Sequence, residues 1–353
     1  MNRIKTLSKK PLFLPFLCLV LVLLINLLKS PGFFSIAINN GVLYGRLIDI
    51  LNRGSEIAIL AVGQTLVIAV SAGTDISVGS VMSLSACFCC MLLAGYGVNT
   101  TETLVVPMAV GIFGGVLMGG VCGAFNGTLV SKLKIQPMVA TLILFTAARA
   151  VGLLLNNNQI TYIRYEPYKY LGNFIPGCPI PTPIFITIIV IVVAMILLKK
   201  TSLGLYIQSV GINGKAARLL GINSALICFL CYVVCGLCAG IAGVVASSRI
   251  YSADSNNIGL YYELDAILAV ALGGNSLGGG KFNLGGSIVG AYTIQAISTT
   301  LLAMGVSTDQ APVVKAVIVI IIVAVQSPVF REWFSGLMSK RKAMVNRVGR
   351  ETT

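Results

Sequence analysis

The stretch KKTSLGLYIQSVGINGKAARLLGIN, residues 199–223, lies between two long apolar runs and indicates how the chain is oriented in a membrane. It contains four basic residues and no acidic one: Lys199, Lys200, Lys215 and Arg218. Lys and Arg resist translocation, so a basic loop between apolar spans belongs on the cytoplasmic side. Residues 214–220 are mostly good helix formers, and Gly211 and Gly221 punctuate the two ends. The stretch therefore predicts a short cytoplasmic helix, of one or two turns, that a soluble partner can push.

The composition of the whole chain agrees with a membrane location. Of its 353 residues, 56% are hydrophobic and only 10% are charged, whereas soluble domains carry about a quarter charged residues. The apolar runs are long and do not alternate with polar residues, which favours helices over a β-barrel. The net charge of +14 comes from residues at the edges of these runs. Such charge orients a membrane protein, and we expect no nucleic-acid partner.

Ten apolar runs follow one another along the chain. They cover residues 12–28, 57–72, 78–94, 104–130, 136–155, 184–198, 225–246, 266–272, 284–304 and 312–326. We therefore predict an all-α polytopic membrane protein with about ten transmembrane helices in a single domain, residues 1–353. Within it, 199–224 forms a cytoplasmic loop, 331–353 a basic cytoplasmic tail, and 30–55 an external or interfacial connection. This topology puts seventeen basic residues on inside edges and six outside, and it places both termini in the cytoplasm.

Two of the apolar runs are interrupted by glycines and small polar residues. The interruptions lie at 73–79, GTDISVG, and at 273–280, GGNSLGGG. Irregular backbone at membrane depth is tolerated only where it is buried in protein or lines a wet cavity. We expect both broken segments to approach a path for solute. Their shared pattern also hints at two related halves, an arrangement common in transporters.

Polar residues in or near these segments are the candidates for lining that path. They are Thr74, Asp75, Ser77, Asn126, Arg149 and Asn275. Asp75 has two interpretations, because an ionisable residue inside a membrane domain indicates function, yet short polar side chains also satisfy turns. For Arg149 we favour a structural role, in which its side chain pairs with another group of the protein, over contact with a solute.

The sequence contains no complete motif for ATP binding or catalysis. Gly278-Gly279-Gly280-Lys281 resembles a phosphate-binding loop, but that motif needs a glycine where Asn275 stands and Ser or Thr where Phe282 stands. The chain also has no histidine, the commonest general base and metal ligand. We predict neither catalysis nor ATP hydrolysis by this chain.

The cysteines and the glycine-rich run have a packing interpretation. Cys228, Cys231, Cys235 and Cys238 are spaced to share one face of a helix inside an apolar run. We interpret them as small side chains at a helix contact rather than as metal ligands. The glycines between residues 111 and 123 likewise predict close approach of neighbouring helices.

Four segments carry a resemblance to a known family. They are GTDISVGSVM (73–82), KIQPMVATL (134–142), YIQSVGINGKAARLLGIN (206–223) and ELDAILAVALGGNSLGGG (263–280). In this order, over about residues 45–330, they resemble the permease subunits of ribose-type sugar ABC importers. IDILNR (48–53), NGTLVSKLKIQP (126–137) and SADSNNIGLYYELDAI (252–267) are most similar to the galactofuranose-importing members.

The resemblance implies a transport subunit without cofactors in the bacterial inner membrane, which moves galactofuranose or a related monosaccharide. It implies four partners: a cytoplasmic ATPase, a second permease subunit, an extracytoplasmic sugar-binding protein and membrane lipid. The ATPase would bind the loop after the sixth span, through Gly211, Asn213, Ala216, Ala217, Arg218 and Gly221. Two alternatives stay open: a gradient-driven secondary transporter, which also uses broken helices, and a membrane enzyme, for which no catalytic constellation is visible.

Overall fold

The protein, seen in a computed structural model that describes residues 13–29, 31–39, 41–307 and 309–326, is built from helices. In chain order these are α1 Phe13–Lys29, α2 Arg46–Ser71, α3 Val78–Ala94, α4 Met108–Ser131, α5 Pro137–Leu155, α6 Glu166–Lys169, α7 Thr182–Lys200, α8 Leu203–Leu219, α9 Ser224–Ile250, α10 Tyr262–Leu272, α11 Leu284–Ala303 and α12 Ala311–Gln326. A short 3-10 helix, Pro31–Phe34, follows α1. The all-α membrane fold is confirmed. The predicted basic tail and the first twelve residues lie outside the described residues.

The part of the chain that the structure describes also contains five strands, which form two small sheets. β1 Ala37–Asn39 pairs antiparallel with β2 Val42–Tyr44. The other sheet has the order β3–β4–β5, from Thr100–Thr101, Thr161–Ile163 and Ser252–Ala253. Because α3, α5 and α9 each lead towards one of its strands, this sheet marks one end of the helix bundle. We call it the sheet end, and we call the opposite end, where α8 lies, the α8 end.

Within the described residues, five helices are long and apolar enough to cross a membrane: α2, α4, α5, α7 and α9. α2 occupies the centre, since 94% of its most apolar window is buried in the protein, against 22% for α7. A helix that is apolar all round and surrounded by other helices is a core helix. Each of the ten predicted apolar runs overlaps one of the helices, while the number that crosses the membrane stays a prediction.

Two helix boundaries correct the sequence analysis. α2 begins at Arg46, so the prediction of an external connection up to residue 55 was wrong for its last ten residues. α8 is kinked at Asn213, so the predicted helix of one or two turns is confirmed as its second segment, while the segment before the kink was missed. In both cases polar residues or glycines suggested a loop, and contacts with distant parts of the chain stabilise a helix instead.

Glycines bring α4 and α9 into close contact, as predicted. A side chain at Gly119 would overlap the backbone of Gly236 and Gly240, and one at Gly123 would overlap Tyr232. The four cysteines of α9 are buried in the same core, with Cys235 packed against Gly63 of α2. Their small side chains serve the close packing of α9 on its neighbours.

Candidate translocation path and coupling helix

The first broken segment, residues 73–79, contains most of the connection between α2 and α3 and the first two residues of α3. Asp75 is buried, and its Oδ1 accepts hydrogen bonds from the backbone N–H of Ser77 at 2.8 Å and from its hydroxyl at 2.6 Å. The backbone N–H of Ile76 donates to Thr141 of α5 at 3.2 Å. The carboxylate therefore organises the turn that opens α3, a favourable place for a negative charge.

A second polar layer surrounds Asp75. Asn126 of α4 donates from Nδ2 to the Ser77 hydroxyl at 2.9 Å, while its Oδ1 has no partner among the described residues. The amide of Gln64 on α2 faces the backbone of Asp75, within 3.0 Å of its nitrogen and 3.3 Å of its oxygen. Three of the predicted path residues, Asp75, Ser77 and Asn126, thus form one cluster together with Gln64, which was not among the predicted residues. Thr74 is half-buried beside it.

The second broken segment, residues 273–283, is held by a separate network around Asn275. Its Nδ2 donates to the carbonyl of Val270 at 3.1 Å and to the hydroxyl of Ser287 at 2.9 Å, and its Oδ1 accepts from the N–H of Asn283 at 2.5 Å. Thr65 of α2 donates to the same Ser287 hydroxyl at 2.7 Å. The two broken segments are therefore tied to consecutive residues of the central helix, Gln64 and Thr65.

Arg149 lies apart from both networks. Its Nη1 donates to the carbonyl of Ser255, to that of Asn256 at 3.1 Å and to that of Ile258 at 3.3 Å. It stands eight residues beyond Thr141 on α5, or about 12 Å along the helix axis. Its partners are the backbone of the loop before α10, in line with the structural role that the residues favoured. Its place on a solute path stays a prediction.

The residues predicted to couple to the ATPase lie on α8 and just after it, and α8 is bent at Asn213. The backbone there leaves the helical range, with φ −157° and ψ 93°. The side-chain Oδ1 of Asn213 accepts from the N–H groups of Lys215 at 3.1 Å and Ala216 at 3.0 Å, so it caps a second helical segment. Gly221 ends the element with a positive φ of 82°.

The faces of this second segment differ in character. Ala217 is buried against the core, whereas Ala216 and Arg218 are exposed. Leu219 and Leu220 are 90% and 80% exposed. These two adjacent leucines therefore form an exposed apolar surface on a basic segment, and no other part of the described structure covers it. They were not among the predicted docking residues, which included Ala216 and Ala217 instead.

Gly211 joins α8 to the broken segments. It packs so closely on the carbonyl of Ala69 and the N–H of Gly280 that a side chain would overlap both. Gly280 donates its N–H to the same Ala69 carbonyl at 2.9 Å. Next to it, Gly279 packs on Ala72, the residue that ends α2. Thus α8, the end of α2 and the second broken segment meet in one contact.

Comparison with known proteins identifies the family of this chain. A family model described as a branched-chain amino acid transport system permease component matches residues 46–325. The chain belongs to this permease family. Its members are permease subunits of ABC transporters, which are not themselves enzymes. Membership excludes the membrane enzyme and the gradient-driven carrier. The family also implies that a separate ATPase and a substrate-binding protein belong to the transport system.

Similar permeases come from several bacteria. The galactofuranose transporter permease of Escherichia coli K12 is 42% identical over 327 residues, covering 92% of each chain. The ribose import permease of the same strain is 37% identical, covering 88% of this chain and 91% of its own length. The fructose import permease of Bifidobacterium longum is 35% identical, covering 96% and 94%.

A solved structure supports the fold of this permease. It is a metal-chelate type ABC transporter in an inward-facing conformation, 17% identical in sequence, with a TM-score of 0.53. The alignment covers 89% of this chain and 97% of the other. At this identity the similarity bears on the fold alone, which is that of an ABC transporter permease.

Proposed function

We propose that this permease forms part of the membrane path of an ABC importer for galactofuranose or a related monosaccharide. The observation that carries the proposal is the 42% identity to a galactofuranose permease over 92% of both chains. Permeases named for ribose and fructose are also similar over most of their length. A branched-chain amino acid is the competing substrate class, because the description of the family model names it.

The solute path runs between the broken segments beside the central helix. Asp75, Ser77 and Asn126 form its buried polar part, with Thr74 at the margin, and Asn275 holds the second segment in shape. The unpartnered Oδ1 of Asn126 is an acceptor that a sugar hydroxyl can use. Arg149 completes the set at a greater distance, where it supports the loop before α10.

The cytoplasmic ATPase docks on the second segment of α8. Leu219 and Leu220 supply apolar contact, Ala216 leaves room for the partner, and Arg218 is the charged neighbour. Asn213 and Gly221 set the two bends of the segment. A push on α8 reaches α2 and the second broken segment through Gly211. Ala217 anchors the segment from inside.

The remaining partners and the orientation follow from charge and exposure. Lys199, Lys200 and Lys215 lie at the α8 end, which therefore faces the cytoplasm of the bacterial inner membrane. The sheet end then faces outward and receives the sugar-binding protein. A second permease subunit and lipid cover the apolar outer faces of α4, α5 and α7. Both termini are cytoplasmic in this topology.

Co-purification tests the composition of the assembly. The tagged chain, expressed in a host that carries its neighbouring transport genes, is extracted in mild detergent, and the bound proteins are identified by mass spectrometry. An ATPase and a second permease should elute with it, joined by a sugar-binding protein when sugar is added. Elution of the chain without an ATPase, under conditions in which a characterised ABC permease retains its own, would contradict the proposal.

A further inference from the structure

A small cavity with both polar and apolar lining residues lies at the sheet end and is not explained by the path described so far. It has a volume of about 220 Å³ and lies between α2, α3, α9 and the loop that leads into α10. Its polar lining comes from Arg53, Glu56, Arg249, Asn257 and Tyr262. Pockets for drug-sized ligands measure roughly 300–1,000 Å³, so this cavity suits a smaller solute.

The cavity wall contains a buried ion pair. Arg249 Nη1 lies 2.8 Å from Glu56 Oε1, and the Glu56 side chain is only 2% exposed. The Tyr262 hydroxyl donates to Glu56 Oε2 at 2.9 Å. A buried ion pair contributes little net stability compared with apolar residues of the same volume, because both charges lose their hydration. Ionisable residues within a membrane domain therefore indicate function.

The hydrogen-bonding capacity left in the cavity suits hydroxyl groups. A carboxylate has roughly four acceptor sites when it carries its charge. Glu56 Oε2 accepts from the Tyr262 hydroxyl, and Oε1 forms the ion pair with Arg249 but accepts no hydrogen bond from the described residues. Arg53 is exposed and makes no hydrogen bond or ion pair within the described residues, so its donors are available. A sugar hydroxyl both donates and accepts. Arg249 already binds Asn52, Gly172 and Glu56. Because the charges of Arg249 and Glu56 offset each other, a solute in the cavity meets hydrogen-bonding groups rather than an unpaired charge.

The cavity and the first broken segment both contact α2, and the cavity lies nearer to the sheet end. Glu56 and Gln64 are eight residues apart on α2, about 12 Å along its axis. Gly259, in the cavity lining, packs directly on Gly79, in the first turn of α3 after Asp75 and Ser77. A solute that enters from the sheet end meets Glu56 before it reaches the Asp75 cluster.

We propose that the cavity lined by Glu56, Arg53 and Tyr262 is a monosaccharide subsite, where the permease holds the sugar before it passes to the broken segment. This inference rests on the proposed sugar-import function and adds a site to it. The subsite binds the uncharged sugar through its hydroxyls, with Glu56 as acceptor and Arg53 as donor. Arg249, 2.8 Å from Glu56, holds the carboxylate in place.

Three conservative variants test the subsite, and the chain offers a matched control. Glu56→Gln removes the charge at nearly constant shape, and Tyr262→Phe removes one hydroxyl. Arg53→Gln replaces the guanidinium with a shorter, neutral amide, at a side chain that has no partner in the described structure. The control is Asp265→Asn, which alters the other ion pair of the described residues, Lys315–Asp265 at 2.6 Å. That pair joins α10 to α12 and is not part of the cavity lining.

The complete transporter is reconstituted in liposomes with a saturating concentration of its binding protein, which is incubated beforehand with the labelled solute under test. Uptake of labelled D-galactose, D-ribose, D-fructose and L-leucine is measured together with ATP hydrolysis. Glu56→Gln should lower maximal sugar uptake by roughly tenfold or more, as expected for the loss of a hydrogen bond to a charged group. Arg53→Gln and Tyr262→Phe should lower it less. ATP hydrolysis stimulated by the binding protein should persist in all three. Any loss in Asp265→Asn should fall equally on uptake and on ATP hydrolysis, because that ion pair stabilises the helix packing outside the cavity.

The possible outcomes separate the subsite from the function on which it rests. Sugar uptake at the wild-type rate in both Glu56→Gln and Arg53→Gln would overturn the subsite and leave the import function intact. An equal loss of uptake and stimulated ATP hydrolysis in Arg53→Gln would also overturn it, since it would indicate a structural role. Uptake of leucine but of no sugar by the wild-type protein would overturn the proposed function itself.

Discussion

Gly211 of α8 lies against the carbonyl oxygen of Ala69 in the last turn of α2, with no space between them for a side chain. The same oxygen accepts the N–H of Gly280 at 2.9 Å. Because the contact is between backbones, no flexible side chain can absorb a displacement of α8. The element that we assign to the ATPase therefore bears directly on the central helix and on one broken segment.

Gly211→Ala tests this contact. The added methyl group would overlap Ala69 and Gly280, so α8 must shift, at a cost of roughly 1–3 kcal/mol for overpacking. We expect a lower melting temperature and weaker stimulation of ATP hydrolysis by the binding protein. Gly214→Ala is the matched control, because a Cβ there would meet nothing closer than 3.9 Å. Equal effects of the two substitutions would contradict a specific role for the Gly211 contact.

Asp75→Asn separates the two interpretations of Asp75. Asparagine keeps an acceptor for the N–H and hydroxyl of Ser77 but removes the charge. We expect a protein that folds and assembles normally yet transports more slowly. Asp75→Ala leaves a buried donor without a partner, at a cost of about 1–3 kcal/mol in stability.

Uptake, thermal melting and ATPase co-purification are measured on the same preparations. Ser85→Ala is the control, since Ser85 is buried on α3 and its hydroxyl has no partner among the described residues. Wild-type uptake in Asp75→Asn would reduce the role of Asp75 to capping the turn.

Leu219 and Leu220 provide a test of docking that does not disturb the core. Both are exposed, so Leu219→Ser with Leu220→Ser should leave the melting temperature unchanged. Removal of two leucines from an interface should weaken ATPase binding by roughly tenfold or more. Leu205→Ser is the control, an exposed leucine on α8 before the bend at Asn213. Retention of the ATPase by the double variant as well as by the control would remove these leucines from the interface.

Thiol labelling at Asn157 and Lys215 tests the orientation. Both side chains are exposed, and they lie at the sheet end and the α8 end respectively. A cysteine at 157 should react with an impermeant maleimide added outside intact cells, and a cysteine at 215 only after the membrane is opened. Eight of the ten native cysteines are buried, and the parent protein gives the background signal. The reverse pattern would invert the topology.

The sequence predicted the features that depend on local pattern. Long apolar runs predicted the helices. The glycines and small polar residues around Asp75 predicted the first break, because a turn inside an apolar run needs flexible backbone and local hydrogen bonds. The close packing of α4 on α9 followed from glycine spacing. These features need no knowledge of which helices are neighbours.

Features that depend on distant contacts were missed. The start of α2 resembles a loop in the sequence because it carries Asp49, Arg53 and Glu56. Glu56 is buried there next to Arg249 of α9, a partner that the local sequence does not reveal. The first half of α8 was missed because Gly211 suggests a helix end, and only the proximity of Ala69 explains a glycine there. Likewise, composition alone could not tell that Ala217 faces the core and the two leucines after Arg218 face outward.

ATP-driven sugar uptake by the reconstituted transporter tests the central claim most directly. Liposomes that contain this permease, its second permease and the ATPase are supplied with ATP at the ATPase face and sugar-loaded binding protein at the other. Labelled sugar should accumulate, should need both ATP and the binding protein, and should persist when ionophores collapse every ion gradient. Uptake that continues without ATP and stops with the ionophores would contradict the account.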